Sequence, residues 1–75
     1  MGKRVLIIGG AGFIGTNLSE HLIKSNMEVF CFDMSVPAKK VEGVRYICGD
    51  FFDDYSLMEA LEGIDYVVHA LSTVN

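Results

Sequence analysis

Gly9, Gly12 and Gly15 stand three apart in the segment Val5–Gly15, which reads Val-Leu-Ile-Ile-Gly-Gly-Ala-Gly-Phe-Ile-Gly. Gly10, Gly12 and Gly15 also fit the pattern G-x-G-x-x-G, so two registers are open. Glycines so spaced between a strand and a helix can cradle a bulky anion. Gly9 lets the chain leave the strand in a tight turn. Gly12 removes the Cβ that would strike a phosphate, and Gly15 lets the helix pack close to the strand. Amide N–H groups at the helix start point outward unpaired, and the helix dipole favours negative charge there. The ligand class implied is the pyrophosphate of a dinucleotide.

Asp33 is the second residue with chemistry to offer. It lies 18 residues after Gly15, at the end of a predicted strand. An acid about 20 residues past the glycines can accept hydrogen bonds from the adenosine ribose. Its charge repels a 2′-phosphate, and no Arg stands at 34 to 36 to hold one. The cofactor expected is therefore NAD rather than NADP. Asp50 follows another predicted strand, where it could accept from the adenine amino group or serve a cap instead.

His21 falls on the predicted first helix with no chemical partner in view. His69 falls near the end of the last predicted strand. Without a group to orient it, it reads as a residue lining the cleft rather than as a base. Cys31 and Cys48 both fall in predicted strands and are expected to be small buried residues. Neither CxxC nor a zinc spacing occurs.

These residues need a scaffold. Arg4–Ile8 is a continuous apolar run, as in a central parallel strand buried on both faces. Phe13–Ser25 reads as a helix with Ile14, Leu18 and Leu22 on one inner stripe and Thr16, Asn17, Ser19, Glu20 and Lys24 mostly outside. Asn26 suits the left-handed position that ends it. Glu28–Phe32, running into Asp33, and Val44–Cys48 are strands, joined by a loop over Met34–Gly43. Asp53 or Asp54 caps a short helix to about Leu61, with Leu57, Ala60 and Leu61 inward. Ser56 with Glu59 is an alternative capping box. Gly63 ends that helix, and Tyr66–Ala70 is a fourth strand. The alternation predicts an α/β fold, a partial Rossmann fold. Its parallel sheet of about four strands runs in the order 3-2-1-4, with helices on both faces. Ligands of such sheets bind outside the carboxyl ends of the strands, where the strand order reverses.

Composition removes other classes. The 75 residues are 51% hydrophobic and 21% charged, with a net charge of −4. That is the composition of a globular domain without disorder, and its scattered Lys and Arg do not form a nucleic-acid surface. No apolar run approaches the roughly 18 residues of a membrane span, and no signal peptide is visible, so a cytoplasmic location is expected.

Gly9-Gly10-Ala11-Gly12-Phe13-Ile14-Gly15, Asp33, Gly49-Asp50 and Val67-Val68-His69-Ala70 together resemble the amino-terminal part of an extended short-chain dehydrogenase/reductase. The branch they resemble is the NAD-dependent epimerase/dehydratase family acting on nucleotide sugars. The resemblance implies that Phe13 and Ile14 lend backbone amides to the pyrophosphate. It implies that Asp33 holds the ribose, that Asp50 and Phe51 approach the adenine, and that Ala70, Leu71 and Ser72 line the cleft. Leu71 and Ser72 depart from the small alanines frequent there.

The family's Tyr-x-x-x-Lys pair does not occur: Tyr46, Tyr55 and Tyr66 are followed four residues on by Asp50, Glu59 and Ala70. Residues 1–75 are thus expected to form the amino-terminal half of an NAD-binding Rossmann domain. The catalytic and substrate-binding parts would be absent, and a nucleotide-sugar substrate would be met only in a longer enzyme. The alternatives are a non-catalytic dinucleotide-binding or sensor module and a fragment that binds nothing. An unpaired edge on the fourth strand predicts a homo-oligomer through Val67–Ala70.

Overall fold

β1 (Arg4–Ile8) lies between two strands of the sheet, and its four aliphatic residues are all buried. A computed structural model describes residues 2–70 of the chain. The other elements are α1 (Phe13–Lys24), β2 (Glu28–Asp33), β3 (Arg45–Cys48), α2 (Asp54–Leu61) and β4 (Tyr66–His69). The sheet is parallel with the order β3-β2-β1-β4, as the alternation of strands and helices predicts.

Side chains alternate along β1 and feed two apolar layers. Val5 and Ile7 join Val29 and Cys31 under Leu18, Leu22 and Ile23 of α1. Leu6 and Ile8 join Phe32 and Ala60, with Leu57 of α2 packed on them. One helix therefore covers each face. Burying Leu6, Ile7 or Phe32 contributes roughly 1.5–3 kcal/mol each before entropy is counted.

Leu18 and Leu22 of the expected stripe pack on the sheet, but the first turns of α1 depart from it. Ile14 is 60% exposed, while Gly15 and Ser19 are the buried helix residues. The helix backbone comes so close to the glycine turn that only small residues fit facing it. Ile14, in the first turn, therefore projects past the sheet. Ser19 satisfies its hydroxyl locally by donating to the Gly15 carbonyl at 2.7 Å. Leu61 is exposed as well, and Ile64 just beyond α2 packs into that layer in its place. Cys48 is exposed because β3 is an edge strand, whereas Cys31 is buried as expected. Both cysteines are free.

Element ends shift by one residue. α1 stops at Lys24, β3 begins at Arg45, and β4 ends at His69, although the Ala70 amide still donates to Ile8 at 2.8 Å. Asn26 takes the left-handed conformation (φ 63°) that the helix end requires. Residues 34–44 cross from β2 to β3 without a helix. The Val41 amide there donates to the Tyr46 hydroxyl at 2.9 Å. Among the described residues, no helix is long and apolar enough to cross a membrane.

Candidate functional site

Three backbone hydrogen bonds draw the candidate residues to one edge of the sheet. Gly9 N–H donates to Phe32 at 2.8 Å, Gly49 N–H to Asp33 at 2.9 Å, and Ala70 N–H to Ile8 at 2.8 Å. The carboxyl ends of all four strands, and the residues that follow them, therefore lie side by side. The order β2-β1-β4 puts the change of direction between β1 and β4, beside the glycine turn.

Each glycine of that turn answers a different demand. Gly9 has φ 88°, which only glycine adopts at little cost. A Cβ on Gly10 would lie 2.5 Å from the Cys31 sulfur, and one on Gly15 would lie 2.6 Å from the Gly10 Cα. Helix, turn and β2 are thus stacked at backbone contact. A Cβ on Gly12 would meet nothing within 4 Å. Both sequence registers are in use: Gly9 turns the chain, Gly10 and Gly15 let it pack, and Gly12 leaves space open.

That space lies at a helix start with donors to spare. The first helical bond of α1 runs from Thr16 N–H to the Gly12 carbonyl at 2.9 Å, so the amides of Phe13, Ile14 and Gly15 have no intrahelical acceptor. Gly12 offers no side-chain cap, and the first turn carries no acid. Phe13 is 83% exposed, so its side chain does not shield the turn. Unpaired amides, the positive end of a helix and open space over Gly12 together match an anion such as pyrophosphate.

Asp33 sits half-buried at the same edge. Its Oδ2 accepts from Ala11 N–H at 2.9 Å, and its Oδ1 from Met34 N–H at 2.7 Å. The carboxylate thus bridges the end of β2 to the glycine turn, a contact that spacing alone does not reveal. Asp50 is exposed beyond β3, and its Oδ1 accepts from Phe52 N–H at 2.9 Å, bracing its own turn. Phe51 turns its ring edge-on to Phe32, with centroids 5.7 Å apart, and so belongs to the α2 layer. Ala70 packs against the α1 layer, and His69 is exposed opposite Ile8. Leu71 and Ser72 lie outside the described residues.

One supporting contact, between Ser19 and Cys31, escapes a reading by sequence pattern. Ser19 Oγ lies 3.3 Å from the Cys31 sulfur, and both are buried beneath Gly10 and Gly15. Burial pushes the Cys31 thiol up, and the nearby Asp33 charge adds to the rise while the Ser19 hydrogen bond opposes it. A thiol so placed is packing material rather than a nucleophile. A concavity of about 790 Å³ lies at the opposite, amino end of the strands, lined by Lys3, Asn26, Met27 and Tyr66 among others. It is remote from the glycine turn.

The family model of the NAD-dependent epimerase/dehydratase family matches residues 5–75. The chain belongs to this family. It is 39% identical over 77 residues to a probable dTDP-glucose 4,6-dehydratase of Sinorhizobium fredii, covering 88% of this chain and 22% of the relative. A 2-alkyl-3-oxoalkanoate reductase of Stenotrophomonas maltophilia is 36% identical over 67 residues, with 88% of this chain and 20% of the relative covered. The UDP-glucose 4-epimerase of Thermus thermophilus, solved in complex with NAD, superposes with a TM-score of 0.81 at 30% identity. That match covers 96% of this chain and 25% of the epimerase. The chain spans about a fifth of the length of the curated relatives it matches.

Proposed function

We propose that this chain is the cofactor-binding portion of a nucleotide-sugar epimerase/dehydratase-type oxidoreductase and that it takes NAD in preference to NADP. The observation that carries this reading is the bare start of α1, with unpaired amides beneath the open space at Gly12. The Phe13 and Ile14 amides bind the pyrophosphate, and Gly9, Gly12 and Gly15 shape the path to it. Asp33 accepts from the ribose hydroxyls and repels a 2′-phosphate. Asp50 and Phe51 border the adenine end, and Ala70 lines the floor beside β1; the family resemblance extends that lining to Leu71, which lies outside the described residues.

When bound, NAD supplies a hydride acceptor and donor. This chain's own residues orient it and neutralise its phosphates. The relatives favour the same division of labour. A probable dTDP-glucose 4,6-dehydratase and a 2-alkyl-3-oxoalkanoate reductase each align with 88% of this chain, so the segment recurs in relatives whose named substrates differ, which suits a part devoted to a cofactor rather than to a substrate. The sugar class is supported by the dehydratase and by the 4-epimerase neighbour.

Calorimetric titration of the chain with NAD and NADP tests the reading. NAD should bind roughly tenfold tighter or more, because a 2′-phosphate would meet the Asp33 carboxylate. Equal affinities would remove Asp33 from the role of selector, and no heat from either would remove the dinucleotide site.

A further inference from the structure

The Asp33 carboxylate is engaged before any ligand arrives. Oδ2 accepts from Ala11 N–H and Oδ1 from Met34 N–H. Its own carbonyl accepts from Gly49 N–H, which fixes its backbone to the β3 end. The glycine turn is thereby held from β2 at two points: Gly9 N–H on the Phe32 carbonyl and Ala11 N–H on the Asp33 side chain. Ala11 immediately precedes Gly12, the residue that must stay clear of the phosphates. A hydrogen bond to a carboxylate is among the stronger ones available to a backbone amide.

We infer that Asp33 is a positioning residue for the pyrophosphate turn as well as a contact for the ribose. A carboxylate has about four acceptor sites, and two are taken by Ala11 and Met34. The remaining two are enough for a pair of ribose hydroxyls. One side chain thus ties the shape of the phosphate cradle to the recognition of the sugar next to it. The ribose half of this inference rests on the dinucleotide reading above, whereas the latch is a property of the ligand-free chain. A small residue at position 33, introduced to admit a 2′-phosphate, would loosen the phosphate turn at the same time.

The test compares the natural chain with Asp33→Ala and the near-isosteric Asp33→Asn, which keeps a single carbonyl acceptor. Amide exchange by NMR, without ligand, should show Ala11 exchanging on the order of 10- to 100-fold faster in Asp33→Ala. The Leu57 amide of α2, bonded to Asp53, should stay unchanged as a control for folding. Affinity for inorganic pyrophosphate, which has no ribose, should fall severalfold even though a negative charge has been removed. If Asp33→Ala does not fold, a faster Ala11 amide in Asp33→Asn supports the latch in its place. An unchanged Ala11 amide overturns the latch. So does pyrophosphate affinity that holds or rises while NAD affinity falls, because Asp33 would then act on the ribose alone. Failure of the natural chain to bind NAD overturns the dinucleotide reading and the ribose half with it, and the Ala11 amide decides the latch separately.

Discussion

α1 begins on Gly12 with no side-chain cap and no acid in its first turn, whereas α2 begins on Asp53 with both carboxylate oxygens occupied. Asp53 accepts from Tyr55 N–H at 3.1 Å and from the Ser56 hydroxyl at 2.9 Å. Asp54 adds charge in the first turn of α2, and Asp50 braces the turn just before it. Each helix follows a parallel strand, so both starts face the same edge of the sheet. One supplies its own anions. The other presents donors and supplies none. The helix dipole alone cannot account for this difference, since both helices have one. The capping residue decides whether the positive end is closed or available.

The comparison can be broken most severely by moving α1 itself. Gly15→Ala places a Cβ 2.6 Å from the Gly10 backbone, which cannot yield as a flexible side chain would. The variant should lose about 3 kcal/mol of stability in urea unfolding. An unchanged midpoint would show that helix and turn are not held at backbone contact. The next largest effect comes from giving α1 the kind of start α2 has. Gly12→Asp enters open space from an extended backbone (φ −80°, ψ −178°), so it should fold as well as the natural chain or better by a few tenths of a kcal/mol. Its carboxylate would occupy the anion's place and lower NAD affinity on the order of 100-fold by calorimetry. Retained NAD binding would mean that the start of α1 is not the phosphate site.

The smallest effect should come from stripping the cap from α2. Asp53→Ala should cost about 1 kcal/mol in thermal or urea unfolding and leave NAD affinity as it was. A drop in NAD affinity without loss of stability would show that the two helix starts are not independent.

The elements and their order are legible in the sequence because each has a strong local signature. The continuous aliphatic run Val5–Ile8, rich in β-branched residues, suits a strand buried on both faces, and Asn26 and Gly63 mark helix ends by the left-handed backbone they tolerate. A cap at Asp53 or Asp54 is recognisable by its place before an apolar period, and the structure uses Asp53. Helical periodicity puts Ile14 inside and Ser19 outside, the reverse of what the fold does, because a hydrophobic stripe describes a helix resting on side chains. The start of α1 rests on the backbone of the glycine turn, and there the smallest residues face inward, while Leu18 and Leu22 further along follow the stripe. The exposure of Cys48 is hidden from the sequence because β-propensity does not distinguish a central strand from an edge strand.

The chain's own order of residues determined the kind of site: three glycines at a strand–helix junction, an acid at the end of the next strand, and no acid where the first helix begins. These are local features, set by backbone freedom and by which residues can cap a helix. Tertiary structure decided how the pieces support one another. It placed Cys31 under Gly10, Gly15 against Gly10, and the Asp33 carboxylate on Ala11 N–H, across 22 positions of chain. Contacts of that kind depend on the register between β1 and β2 and on the distance of α1 from the sheet, and neither is written in any single segment.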